Sequence, residues 1–143
     1  MSGPTDASAN EIYDPLRRKM VARTPEEEVR QAVILWLRDV RGFSPALMES
    51  EYGFSYNSRR CRADIVVFDR RLQPFLLVEC KAPGVKLDAS VVDQVVRYTR
   101  VLAARYILVT NGTDVRLLRR SSGEDRYESL TEIPEDLGPG RLS

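Results

Sequence analysis

Two strongly apolar runs, Arg62-Ala-Asp-Ile-Val-Val-Phe68 and Pro74-Phe-Leu-Leu-Val-Glu-Cys-Lys81, joined by the polar stretch Asp69 to Gln73, constrain this chain more than any other feature. Their β-branched and aromatic content, with turn residues between them, predicts an antiparallel pair of strands. Each run is apolar at consecutive positions, so each needs cover on both faces: these are central strands with helices on either side. Any fold that buries them must also accommodate Asp64 and Glu79, which stand inside them. An ionised carboxylate in that setting needs a hydrogen bond, a counter-ion or a metal to offset its desolvation.

The flanking sequence supplies the other layers. Thr24-Pro25-Glu26-Glu27 has the form of a helix start, with threonine as cap, proline at the first helical position and acids in the first turn. The helix should run to about Val40, placing Val29, Ala32, Val33, Trp36, Leu37 and Val40 on one face, and stop at Gly42. A short turn or helical piece at Pro45 to Met48 precedes a strand from Glu49 to Tyr56, whose Tyr52, Phe54 and Tyr56 alternate as sheet packing does, and Asn57-Ser58 reads as a hairpin turn. A second helix is expected over Leu87 to Ala104, capped by Asp88 or Ser90, with Val91, Val92, Val95, Tyr98, Val101 and Leu102 inward. Tyr106 to Thr110 is a buried strand ended by Asn111-Gly112, Val115 to Leu118 a further short one, and Ile133 to Leu137 one turn of helix.

This order predicts an α/β fold with a central mixed β-sheet of four to five strands flanked by helices. With 143 residues, 43% of them apolar, one hydrophobic core is expected. Residues 1–23 read as an arm that packs only in part, 24–120 as the domain, and 121–143 as a polar tail packing on it or trailing from it. No apolar run is long enough to cross a bilayer and the N-terminus lacks a secretory pattern, so the expectation is a cytoplasmic protein without membrane contact.

Composition narrows the chemistry. There is no histidine, which excludes the Ser-His-Asp triad, the HExxH zinc site and nucleases with a histidine base. The two cysteines, Cys61 and Cys80, suggest neither a disulfide framework nor a zinc site. Net charge is only +1, so nucleic-acid binding would need a local patch. Lys81 is one of only three lysines, with Lys19 and Lys86. What remains is carboxylate, lysine and a hard metal.

Glu79 and Lys81 are two apart and share one side of a strand, while Cys80 points to the other. Two carboxylates on neighbouring strands repel unless a positive group lies between them. A divalent cation with oxygen ligands meets that need, and Mg2+, with Mn2+ as a substitute, suits Asp64, Glu79 and the Cys80 main-chain carbonyl. Lys81 beside it can orient or deprotonate a water and stabilise a charged transition state.

An acid, a short hairpin and then Glu79-Cys80-Lys81 on the adjacent strand resembles the PD-(D/E)xK nuclease superfamily, with Ala63 where a proline commonly precedes the acid. More specifically, Tyr13-Asp-Pro-Leu-Arg-Arg-Lys19, Thr24-Pro-Glu-Glu27, Arg62-Ala-Asp-Ile-Val-Val67, Leu76-Leu-Val-Glu-Cys-Lys-Ala-Pro83, Asp93-Gln-Val-Val-Arg-Tyr98 and Ile107-Leu-Val-Thr-Asn-Gly112 are similar to the N-terminal nuclease domain of type I restriction enzyme R subunits. The resemblance implies a restriction-endonuclease-like core and Mg2+-dependent endonuclease activity on DNA. It adds Gln94 and Tyr98 as a QxxxY pair on one helix face, and Glu27, with Glu26 as competitor, as a first-helix acid. Arg30, one turn on, would pair with that acid or with a phosphate.

Arg59, Arg60 and Arg62 are candidates for phosphate contact, against the simpler reading of a solvated basic turn. Glu27 has its own bland reading, an acid serving the helix dipole. Cutting both strands would need two copies, so a homodimer and other restriction subunits are the implied protein partners. No GxxxxGK[ST] loop occurs, so the ATP-driven translocase of a full R subunit is not expected within these residues. The competing reading is a catalytically silent DNA-binding or partner-binding module; a purely structural domain of a restriction-like assembly is a third.

Overall fold

The structure is a computed structural model and describes residues 10–122 and 126–137. A small antiparallel hairpin, β1 (Glu11–Asp14) and β2 (Lys19–Ala22), comes first. It is followed by α1 (Pro25–Leu35), a π-helical turn (Trp36–Val40), β3 (Met48–Tyr56), β4 (Arg59–Phe68), β5 (Pro74–Cys80), α2 (Ala89–Thr99), β6 (Tyr106–Thr110), β7 (Val115–Arg120) and β8 (Tyr127–Leu130). The last six strands form one sheet in sequence order, β3-β4-β5-β6-β7-β8. Among the described residues only β5 and β6 run parallel; α2 makes the crossover that a parallel pair requires.

The α/β architecture is as expected, but the sheet has six strands instead of four to five. The sixth, β8, comes from polar sequence at an edge, where one face and one margin are wet and no apolar run is needed. Residues 133–137 form a turn instead of helix, with the Leu137 N–H on the Pro134 carbonyl, and Leu137 is buried. Residues 10–22 of the expected arm form the hairpin; residues 1–9 and 138–143 lie outside the described residues. Among the described residues no helix is long and apolar enough to cross a membrane.

The helices cover opposite faces of the sheet. Val29, Val33, Ile34 and Leu37 pack on Ile65, Val67, Leu76, Val78 and Leu108, whereas Val95 and Leu87 pack on Val66, Leu77, Ile107 and Val109. β4, β5 and β6 are therefore buried on both sides, as their unbroken apolar runs require. Thr24 caps α1 by accepting the Glu27 N–H, and Asp88 caps α2 by accepting the Val91 N–H. The π turn shifts the helical phase by a residue, which exposes Val40 and buries Arg41; Ala32 is also exposed, and Ile34 takes its place in the core. At the end of α2 the chain tightens to a 3-10 turn closed by Ala103 at φ 53°, leaving Val101 exposed.

One distortion in the hairpin of β3 and β4 shapes the site. Asn57 and Ser58 both have positive φ, 51° and 63°, as a two-residue hairpin turn demands. Farther along, Ser50 pairs Ile65 and Tyr52 pairs Ala63, which places Glu51 opposite Asp64. There Glu51 takes φ 54°, a conformation costly for a side chain with a Cβ. Beyond this crease the strand pair changes face: Met48 and Ile65 pack toward α1, Tyr52, Phe54 and Ala63 toward α2. The outer half of the hairpin thus wraps onto α2, where Phe54 stacks on Tyr98 with ring centroids 6.2 Å apart.

Candidate active site

Asp64 sits at the crease and Glu79 at the end of β5, beside it. The Cys80 N–H donates to Asp64 Oδ2 at 2.7 Å, tying the end of β5 to the crease of β4. An extended residue directs its N–H and C=O to the same edge, so the Cys80 carbonyl lies toward Asp64 as well. Its thiol is buried in the α1-side core and burial pushes it well above the ordinary range, so the carbonyl is the ligand atom Cys80 can offer. Lys81 lies on the Glu79 side, with Nζ 3.8 Å from Glu79 Oε2, as the two-residue spacing requires.

The electrostatics are those of a site short of positive charge. Burial first, then the Asp64 charge, raises the Glu79 carboxyl to about 7, against opposing contributions from the Tyr98 hydroxyl and Lys81. Burial likewise raises Asp64, opposed by the Cys80 N–H, Arg30 and Lys81. Glu79 Oε1 is buried with no hydrogen-bond partner. An acceptor orphaned in this way is costly, and a cation is the group that both relieves it and holds the two carboxylates together. The residues present therefore fit a hard divalent ion, although among the described residues no cluster of three or more acids or thiols forms a ready-made cage.

A carboxyl whose folded pKa lies above its unfolded value contributes stability that is full below the unfolded value, 4.5, and lost as pH rises through about 7. Glu79→Gln, which cannot ionise, should thus melt above wild type at pH 8 in EDTA and close to it at pH 5. Equal melting at both pH values would show that Glu79 ionises freely.

Glu27 is buried and Glu26 exposed, so the helix places the first of these toward the site. Both Glu27 oxygens accept from Arg17 Nη2 at 2.9 Å, and Gln31 Nε2 donates to Oε2 at 2.8 Å. Arg30, considered for a phosphate, is buried among acids: 3.3 Å from Asp64, 3.5 Å from Glu51 and 3.8 Å from Glu27. Glu51 gathers Arg17 at 3.3 Å and Arg62 at 3.4 Å as well.

Gln94 and Tyr98 lie side by side on α2 and line an open groove of about 750 Å³ with Arg59, Arg62 and Arg97. Arg60 does not line it. Burial first, then the neighbouring Glu79 charge, raises the Tyr98 phenol far above its ordinary value, so it stays protonated as a donor toward Glu79. The groove lining thus holds three guanidinium groups and meets the carboxylate cluster through Tyr98, which neighbours Glu79. An apolar cavity of about 500 Å³ between α1, β7 and residues 130–137, lined by Trp36, Phe43 and Leu117, holds no such grouping of acids and lysine.

Three participants were not singled out from sequence. Arg97 was within reach, being three residues after Gln94 and on the same helical face. Glu51 needs the β3–β4 register to be seen, and Arg17 needs the docking of the hairpin.

Fold and site together define an α/β domain of restriction-endonuclease-like architecture, with one carboxylate at the crease of β4 and a second carboxylate and a lysine at the end of the adjoining β5. The chain belongs to the family described as type I restriction enzyme R protein N terminus (HSDR_N), whose family model matches residues 25–134. Among solved structures it is similar to one described as the fragment of an HsdR subunit of a type I restriction enzyme from Vibrio vulnificus, at 20% identity and a TM-score of 0.57. That match covers 83% of this chain and 25% of the other, so this chain spans about a quarter of its length. No curated protein matches.

Proposed function

We propose that this domain is a DNA endonuclease that hydrolyses phosphodiester bonds with Mg2+, or Mn2+ in its place, held by Asp64, Glu79 and the Cys80 main-chain carbonyl. The observation that carries this reading is the orphaned Glu79 Oε1, buried beside Asp64 with Lys81 on the same side. Bound there, the divalent ion would supply Lewis acidity to a phosphate oxygen and acidify a coordinated water. Asp64 and Glu79 orient the cluster, Asp64 being held in place by the Cys80 N–H. The Lys81 ammonium orients the attacking water and opposes charge that develops on the phosphoryl oxygens. Tyr98 keeps its proton and donates toward Glu79, while Gln94 offers its amide to the substrate strand. Glu27 stays behind the reacting groups, holding Arg17 and Arg30.

Arg59, Arg62 and Arg97 would take the phosphates on either side of the one that is cut. Replacing any of them with alanine should weaken binding of a labelled duplex alike for all sequences and reduce the salt slope by about one. Anisotropy titrations in EDTA over a range of salt would read this; an unchanged slope for all three would remove the groove from the interface. Membership of the R-subunit family supports DNA as substrate and other restriction subunits as partners, and cutting both strands would take two copies of a one-site domain.

The test is nicking of supercoiled plasmid with Mg2+ or Mn2+ against EDTA, comparing wild type with Asp64→Asn. Cation-dependent nicking lost in Asp64→Asn is the expected result. Equal nicking by both proteins overturns the assignment. If neither cuts and both bind DNA, the domain is a silent binding module.

A further inference from the structure

Two buried atoms near Asp64 lack a hydrogen-bond partner, and they are of opposite kind: the acceptor Glu79 Oε1 and the donor Arg30 Nε. Asp64 Oδ2 is already taken by the Cys80 N–H, so Oδ1 is the oxygen left for a cation. Arg30 Nη2 now stands on that oxygen at 3.3 Å, with Nη1 on Ser50 Oγ at 3.2 Å. Beyond it, Glu51 and Glu27 lie at 3.5 and 3.8 Å, near enough to attract the guanidinium and too far for a good hydrogen bond. Arg30 therefore sits in a position that serves Asp64 and leaves its own Nε unpaired, with two carboxylates in reach on its other side.

We propose that Arg30 is the resident counter-ion of Asp64, displaced toward Glu51 and Glu27 when a divalent cation takes Oδ1, so that the Arg30–Glu51 pair sets the site's affinity for metal. This rests on the reading above, that the cation binds at Asp64 and Glu79. A guanidinium and a divalent ion cannot share one carboxylate oxygen without strong repulsion in a partly dry site. The move needs only a side-chain rotation, because Glu51 is already aimed. Its left-handed backbone opposite Asp64 and its contacts to Arg17 and Arg62 fix the carboxylate where Arg30 would go. That also gives a reason for a strained residue in mid-strand at this one position.

The proposal is tested by calorimetric titration of the intact chain with Mn2+ and no nucleic acid. Arg30→Met, which keeps the apolar stem, should bind Mn2+ about tenfold more tightly. Glu51→Gln should bind about fivefold more weakly, and adding it to Arg30→Met should change little, because Glu51 acts through Arg30. Should Arg30→Met fail to fold, Arg30→Lys keeps a cation but loses the fork that spans the carboxylates, and should tighten binding about threefold. Unchanged affinity in the Arg30 variants, or an equal loss from Glu51→Gln with and without Arg30, overturns the proposal, the second outcome being simple charge attraction. Mn2+ binding unaffected by Asp64→Asn would instead remove the metal site itself, and the functional reading with it.

Discussion

Lys81→Ala is expected to slow Mg2+-dependent nicking by about a thousandfold while DNA affinity stays close to wild type. The asymmetry comes from where the charge acts. Lys81 Nζ lies 3.8 Å from Glu79 Oε2, within the cluster that would surround the reacting phosphate. In the proposed hydrolysis charge would build there chiefly in the transition state, so a cation fixed beside it would lower the barrier more than it improves ground-state binding. On the proposed function, affinity for DNA would be carried elsewhere, by the guanidinium groups along the groove, which the substitution leaves in place. Time courses of plasmid nicking, with anisotropy binding in parallel, separate the two effects. A variant that nicks at the wild-type rate would remove Lys81 from the chemistry, and one that loses binding and nicking in proportion would make it a phosphate anchor.

The largest stability effect is expected at Arg17→Met, a loss of about 3 kcal/mol. Arg17 lies in the turn between β1 and β2 and joins that hairpin to the rest of the fold through Asp14, Glu27 and Glu51. The Asp14 side chain is fully buried and that of Glu27 is 8% exposed, so removing their shared cation strands two carboxylates in a poor solvent for charge. Burial by itself would raise the Asp14 carboxyl. Hydrogen bonds from the Arg17 side chain and from the Leu16 and Arg17 N–H groups outweigh it and hold the group below its ordinary 3.8. A depressed carboxyl contributes stability that is present above the unfolded value and lost as pH falls through the folded one. Arg17→Met should therefore narrow the difference from wild type in strong acid, where Asp14 is protonated in both proteins. Urea unfolding at pH 7 and at low pH measures both points; equal midpoints for variant and wild type at pH 7 would mean that the Arg17 ion pairs contribute nothing to the fold.

Much of the site was legible because its spacing is covalent. Glu79 and Lys81 are two residues apart on a strand, so the pleat alone puts them on one side, and Gln94 and Tyr98 share a helical face for the same kind of reason. The central strands could be read from unbroken apolar runs, and the helix starts from Thr24-Pro25 and Asp88, since caps are local chemistry. β8 could not be read, because an edge strand of mixed polarity carries no periodic signal that separates it from loop. The π turn after Leu35 escaped as well: a phase shift of one residue leaves composition unchanged and shows only in which side chains are buried, with Val40 out and Arg41 in.

Glu51 and Arg30 mark the division most sharply. From the sequence alone came a mixed α/β sheet, the pairing of Asp64 with Glu79-Cys80-Lys81, and the exclusion of histidine chemistry, all of which follow from residue type and short-range geometry. Only the tertiary structure decided what surrounds Asp64. Strand register put Glu51 opposite it, the docking of α1 put Arg30 on its free oxygen, and the docking of the N-terminal hairpin brought Arg17 to Glu27 and Glu51. Those contacts join residues remote in the chain, and their geometry depends on how whole elements pack, which local spacing does not encode.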